Sequence, residues 1–316
     1  MFKVLVTGAS GFIGRAVVGA LDVHRGNVVG AMRRPIDARW AVPSPFLGDD
    51  ADWRVPLEGC TVVVHAAGRA HVLNDRIADP LSEFRRVNVA GTLHLAEQAA
   101  AMGVHRFVFL SSIGVNGAAT ALGSSFSEVG QPNPHNAYAL SKWEAEQGLL
   151  RMAAENGMEV VIIRPPLVYG PAAPGNFGLL MRWLLRGIPL PLGAIYNQRS
   201  LVALDNLVDL IVTCLTHPAA ANQTFLVSDG EDLSTTQLLR RMGAALGKPA
   251  RLIPVPASVL KLGAALVGKP ELAQRLCGSL QVDISKTREL LGWRPPVSVD
   301  EGLRRAAEGY LRETVV

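Results

Sequence analysis

The chain has 316 residues, 49% hydrophobic and 18% charged, the balance of a globular protein with a sizeable core, which excludes a disordered or fibrous chain. Its 31 basic and 27 acidic residues leave a net charge of +4; that suits an anionic ligand, while the aromatic residues do not interleave with basic clusters, so no nucleic-acid partner is expected. Cys60, Cys214 and Cys277 are odd in number, widely spaced and without a C-x-x-C pair, so neither a disulfide framework nor a metal site is expected, and a reducing cytoplasm is.

In chain order, residues 2–6 run straight into a glycine turn, leaving no room for a secretory leader. Short β-branched runs at 3–7, 27–32, 61–65, 106–111 and 159–164 alternate with helical patterns at 12–21, 80–102 and 134–156. That rhythm predicts an α/β fold, a Rossmann doubly wound parallel sheet. Beyond Arg164 the breakers Pro165-Pro166, Gly170-Pro171 and Pro174-Gly175 end the regular winding. Strands are expected again at 200–204 and 224–227, with a helix capped by Asp205 between them. The Rossmann unit is therefore placed at 1–165 and 199–228, and a smaller, discontinuous C-terminal substrate-binding region at 166–198 and 229–316. Residues 255–268 are the most membrane-like stretch, but Lys261 interrupts them and they fall short of the roughly 20 residues a spanning helix needs. A buried or surface-lying helix is expected there, and no integral membrane span.

Thr7-Gly8-Ala9-Ser10-Gly11-Phe12-Ile13-Gly14 follows a predicted strand and opens a predicted helix. Glycines there permit close backbone approach, and the helix N-terminus offers N–H groups to a pyrophosphate. An NAD-selective fold places an acid at the end of the second strand to accept the ribose 2'-hydroxyl; here the position holds Arg33, followed by Arg34. A guanidinium cannot accept that bond but pairs with a 2'-phosphate, so NADP(H) is the preferred cofactor, with NAD(H) as the alternative.

Tyr138 and Lys142 are four residues apart and share a helical face. The expected role of the lysine is to stabilise the phenolate so that the tyrosine can exchange a proton near neutral pH. The run 107–110 delivers Ser111 and Ser112 to the C-terminal end of a strand, the edge at which open α/β sheets bind ligands, which makes Ser112 a hydrogen-bond partner for the reacting oxygen.

Taken in order, these motifs resemble the extended short-chain dehydrogenases/reductases of the NAD-dependent epimerase/dehydratase family, and the likeness covers nearly the whole chain. The G-x-x-G-x-x-G spacing is that of the extended form. The resemblance implies that Gly48-Asp49 borders adenine, that His65-Ala66-Ala67-Gly68 is the loop after the fourth strand, and that Asn88, within Val87 to Thr92, is the family asparagine. It makes Ser112, Tyr138 and Lys142 a catalytic triad and sets Pro165 beside the nicotinamide. The cofactor set it implies is Gly8, Ser10, Gly11, Phe12, Ile13, Gly14, Arg33, Arg34, Asp49, His65, Ala66, Ala67, Gly68, Asn88, Tyr138, Lys142 and Pro165. For a UDP-sugar it implies Arg199 and Asn176 at the diphosphate, Arg275 as a second phosphate ligand, and His71 lining the sugar pocket beside Ser112. Leu291 to Pro295 resembles the C-terminal signature, read as structural. Val115-Asn116-Gly117 departs from the tyrosine-bearing loop of related epimerases.

Within the family, Ala70 to Asp75 and the stretch from Pro191 to Val202 are similar to UDP-N-acetylquinovosamine dehydrogenases. The leading expectation is therefore reduction of the C4 ketone of a UDP-linked 4-keto-6-deoxy-N-acetylhexosamine for bacterial surface polysaccharide. A UDP-hexose or N-acetylhexosamine 4-epimerase with retained NAD is the rival, and a non-catalytic NADP(H)-sensing protein the third reading. The family resemblance also implies a homodimer paired through the helices at 80–102 and 134–156.

Overall fold

The computed structural model describes residues 2–22, 27–70, 79–266, 268 and 270–315. The first half of the chain reads β1 (Val4–Thr7), α1 (Phe12–Asp22), β2 (Val28–Met32), β3 (Ala41–Pro43), α2 (Arg54–Leu57), β4 (Val62–His65), α3 (Pro80–Phe84), α4 (Gly91–Ala101), β5 (Arg106–Leu110), α5 (Ala137–Asn156) and β6 (Glu159–Arg164). It continues with β7 (Leu167–Tyr169), α6 (Asn176–Leu185), β8 (Arg199–Ala203), α7 (Leu204–Thr216), β9 (Gln223–Leu226), β10 (Asp232–Leu233) and α8 (Thr235–Ala245). The last helices are α9 (Ala257–Leu266), α10 (Pro270–Cys277), α11 (Ser285–Leu291) and α12 (Val299–Val315).

Seven parallel strands form the large sheet in the order β3-β2-β1-β4-β5-β6-β9. Its central strands are buried from end to end, as expected when helices cover both faces. Alternation sorts their side chains: Val4, Val6, Val64 and Val108 meet Leu207 and Ile211 of α7 on one face, while Leu5, Val63, Phe107 and Phe109 meet Leu95 and Leu149 on the other. Thr7 pairs with His65, His65 with Phe109, and Leu110 with Ile163. The strands therefore end together, and the loops leaving them share one edge, the edge at which such sheets bind ligands.

A second sheet of order β10-β8-β7 and the core around Tyr169, Phe177, Leu201, Leu239 and Leu303 make the smaller lobe. Residues 199–203 pair within this sheet, whereas α7 and β9 return to the large one. Two of the passages between the sheets, at 203–206 and 226–232, meet at Asp229, which also holds Tyr169 at the end of β7. Its carboxylate accepts the Ala203 N–H at 2.8 Å, the Asn206 amide at 2.7 Å and the Tyr169 hydroxyl at 2.8 Å. Burial pushes the Asp229 and Tyr169 pKa values up, yet the carboxylate is well supplied with donors.

The predicted strands fall within a residue or two of those observed, while three boundaries differ. The helical pattern at 80–102 is split: α3 and α4 are separated by a π-helical turn, Arg85–Ala90. α5 starts three residues beyond its predicted proline, because Asn136 caps it by accepting the Ala139 N–H at 2.8 Å. Asp205 lies inside the first turn of α7 and is not its cap. Residues 255–268 provide α9, which lies on the surface.

Candidate functional site

At the end of β1 Gly8 takes φ +68°, and a Cβ there would stand 2.9 Å from the Ala67 nitrogen. A Cβ on Gly14 would stand 2.2 Å from the Gly8 carbonyl oxygen, so the first turn of α1 is seated directly on the loop. Only glycine fits either position. The Gly11 N–H closes the turn on the Gly8 carbonyl at 2.8 Å. Ser10 and Gly11 are exposed, Phe12 and Ile13 half-buried, and the first turn of α1 carries no carboxylate. These features fit the pyrophosphate of a dinucleotide, which the N–H groups and the helix dipole would hold. Arg33 and Arg34 stand exposed one residue past β2, and Asp49 is exposed after Gly48, whose backbone lies against Gly91.

His65 ends β4 but does not face the open edge. Its Nδ1 pairs with the Thr7 hydroxyl at 2.7 Å and its Nε2 with the Thr92 hydroxyl at 3.0 Å, and the ring stacks on Phe109. Burial, with the Lys142 charge adding to it, lowers its pKa to about 3, so the imidazole is a neutral brace between β1 and α4. Its loop neighbours Ala66 and Ala67 are half-buried and Gly68 is exposed. Asn88, in the π-helical turn, is likewise buried. Its Oδ1 accepts the Arg69 N–H at 2.8 Å, and its amide donates to the Arg69 carbonyl at 3.1 Å and to the Ser141 hydroxyl at 3.0 Å. The extra residue of the π turn re-aims this side chain, and the loop at 66–70 is thereby tied to α5.

The triad residues come together at the centre of this edge. Ser112 is extended and accepts the Gly114 N–H at 3.1 Å, and its side chain is near enough to the Tyr138 phenol to lower that group's pKa somewhat. Tyr138 is half-buried, edge-on to Phe84. Lys142 is buried one turn on; its Nζ donates to the Leu110 carbonyl at 2.8 Å, lies 4.5 Å from the Phe109 ring centre, and would stand 3.5 Å from a side chain at Gly68. Desolvation, partly offset by Glu146, lowers its pKa to about 8. The expected lowering of the Tyr138 pKa by Lys142 is not what this arrangement gives. Burial pushes Tyr138 up to about 12 and only Ser112 opposes it, because the ammonium is engaged by the Leu110 carbonyl. Tyr138 thus holds its proton at neutral pH.

One part of the site was not read from the sequence. Glu146 lies fully buried one turn beyond Lys142, binds Arg164 at 2.9 and 2.5 Å, and accepts the Ser111 hydroxyl. Arg164 also donates to the Asn116 side chain at 3.0 Å, and the Ile113 N–H reaches the Pro165 carbonyl at 3.0 Å. This network fastens the ends of β5 and β6 to α5. The four-residue spacing of Tyr138, Lys142 and Glu146 was the available signal.

In the small lobe Arg199 is half-buried on β8 and donates to the Gly278 carbonyl at 3.0 Å. Burial lowers its pKa. Asn176 opens α6, Arg275 is exposed on α10, and His71 lies outside the described residues. Among the described residues no group of three or more His, Cys, Asp or Glu is gathered for a metal, and no helix is long and apolar enough to cross a membrane.

Residues 4–228, the glycine turn and the triad included, match the NAD dependent epimerase/dehydratase family. The chain belongs to that family. This family member is 48% identical over 314 residues to a UDP-glucose 4-epimerase of Vibrio cholerae, covering 98% of this chain and 96% of that one. It also superposes on MoeE5 in complex with UDP-glucose and NAD, with a TM-score of 0.78 and 26% identity over 99% of this chain and 100% of the other. The UDP-glucose 4-epimerase of Thermus thermophilus in complex with NAD shares the fold, with a TM-score of 0.79 at 24% identity, over 98% and 99% of the two chains. The protein is an enzyme of the epimerase/dehydratase family, so the reading as a non-catalytic sensor is set aside.

Proposed function

We propose that the protein is a UDP-hexose 4-epimerase that retains its dinucleotide. The observation that carries this is the near-half identity, over essentially the full length, to a UDP-glucose 4-epimerase. It favours this reading over the leading expectation from sequence, a 4-ketoreductase of a UDP-4-keto-6-deoxy-N-acetylhexosamine, which rested on short segments around 70–75 and 191–202. A bound nicotinamide supplies reversible hydride acceptance at C4. Tyr138 exchanges the proton of the C4 oxygen, Ser112 hydrogen-bonds that oxygen, and Lys142 holds the nicotinamide ribose beside Gly68. The turn at 8–14 holds the pyrophosphate, with Asp49 and Pro165 bordering the adenine and nicotinamide ends. Arg199, with Asn176 and Arg275, takes the UDP diphosphate. The dinucleotide unit is 1–165 with 199–228, the substrate region 166–198 with 229–316, and the enzyme works as a cytoplasmic homodimer on sugars destined for surface polysaccharide.

The test is an incubation with UDP-glucose and UDP-N-acetylglucosamine, each without added reductant, alongside the corresponding 4-keto sugars with NADPH. The expected result is interconversion of C4 epimers with no net change in reduced nicotinamide. Stoichiometric consumption of NADPH with no epimer formed restores the ketoreductase.

Arg33 and Arg34 favour NADP(H) over NAD(H) within the same pocket, since an exposed guanidinium pair gains a charge-assisted contact to a 2'-phosphate. A contact of about 1.5 kcal/mol corresponds to roughly tenfold in affinity. Arg33→Asp/Arg34→Asp is therefore expected to shift the ratio of NADPH to NADH dissociation constants by at least about tenfold toward NADH. An unchanged ratio, measured by calorimetry on the folded variant, leaves both arginines to solvent and the pocket to NAD.

A further inference from the structure

We infer that Asn116 is a positioning residue for the UDP end of the substrate, closing a loop of the large lobe against the small-lobe segment on which Arg199 rests. The inference rests on the reading of Arg199 as a ligand of the UDP diphosphate. Asn116 is buried just beyond the short turn Ile113–Val115 that follows Ser112. Both ends of its amide are used. Its Oδ1 accepts from Arg164 at 3.0 Å, and its Nδ2 donates to the Ser127 carbonyl, eleven residues on, at 2.8 Å. The donor side thus ties the two ends of the loop 116–127 together. The acceptor side ties them to Arg164, which Glu146 holds behind Tyr138 and Lys142 on α5. Loops of this length with adjacent ends are compact units packed by their own side chains. Here the Phe126 ring lies against Gly117, where a Cβ would stand 2.9 Å from its Cζ.

The loop is paired to the small lobe as a strand would be. The Thr120 N–H donates to the Ser279 carbonyl at 2.9 Å, the Phe126 N–H to the Gln281 carbonyl at 2.8 Å, and the Phe126 carbonyl accepts the Asp283 N–H at 2.9 Å. Between those contacts Leu280 turns the other way. Its N–H donates to the Gln198 carbonyl, and its carbonyl accepts the Ser200 N–H, both at 2.9 Å. Segment 279–281 therefore has the loop on one edge and the start of β8 on the other, its backbone groups reaching alternately to each. Arg199 lies on that stretch of β8, and its guanidinium rests on the Gly278 carbonyl at 3.0 Å. One line of contacts thus runs from the buried pair behind the triad, through Asn116 and the loop, to the seat of Arg199. Removing the Asn116 amide leaves the loop ends untied and lets that seat shift. A displacement of about 1 Å at a positioning contact can cost up to about a hundredfold.

The experiment is calorimetric titration of the full chain with UDP, alongside steady-state kinetics with UDP-glucose. For Asn116→Ala the Kd for UDP and the KM for UDP-glucose are each expected to rise at least about tenfold, while kcat and dinucleotide affinity stay within about threefold of the parent. If that variant does not fold, Asn116→Asp keeps an acceptor for Arg164 and loses only the donor to Ser127, and the same rise in the Kd for UDP is expected. A folded variant that melts earlier but binds UDP like the parent overturns the proposal, because Asn116 then serves stability alone. A loss confined to kcat overturns it too, since the loop would then act through Ser112 and not through Arg199. So does a fall in dinucleotide affinity as large as that for UDP. A parent chain that does not bind UDP removes the reading of Arg199 itself, and the proposal falls with it.

Discussion

Replacing Tyr138 with phenylalanine is expected to cut turnover about a hundredfold or more while leaving dinucleotide affinity nearly intact. The phenol is half-buried, keeps its proton, with burial holding the pKa near 12, and lies near Ser112; removing its oxygen removes the proton carrier without opening a cavity. Lys142→Met differs, because this ammonium sits buried against both the Leu110 carbonyl and the space over Gly68; it should weaken binding as well as turnover. Steady-state kinetics combined with calorimetric titration of the cofactor separates the two. Unchanged turnover in the phenylalanine variant removes Tyr138 from the chemistry.

Arg164→Met is expected to be among the most destabilising single changes in the large lobe. The Arg164 and Glu146 side chains are 6% and 1% exposed, and deleting one partner strands the other charge away from water. Such a loss costs about 3–5 kcal/mol, on the order of 10 °C in melting temperature for a chain of this size. Replacing both, as Glu146→Leu/Arg164→Met, removes the stranded charge and should recover much of the loss. The Ser111 hydroxyl and the Asn116 amide then lose a partner each, so recovery will be incomplete. A single variant that melts within a degree or two of the parent shows that the pair contributes little to stability.

The large sheet was legible because its strands are buried on both faces and so read as unbroken apolar runs, 62–65 and 106–110 most clearly. The glycine turn was legible because Gly8 and Gly14 leave no space for any other residue. What the sequence hid were features set by tertiary contact. β3, β7 and β10 are two or three residues long and exist only through their neighbours in the sheets. The π-helical turn has no compositional mark, though it decides where Asn88 points. His65 looked like a ligand-facing loop residue because its two threonine partners lie 58 and 27 residues away in the chain. Reductase and epimerase could not be told apart in the sequence for a different reason: the same serine, tyrosine and lysine are expected in both.

The carboxylate of Asp229 has a consequence for motion. It holds the Tyr169 hydroxyl, the Ala203 amide and the Asn206 side chain within 2.8 Å, and these residues flank the passages of the chain between the two sheets. A hinge turns on a few element-terminal residues free to change φ and ψ; here those at 203–206 and 229 are tied together at one buried point. Swinging the lobes apart would strain hydrogen bonds among buried groups. The two sheets are then held at a set spacing by one buried carboxylate, a caliper and not a jaw.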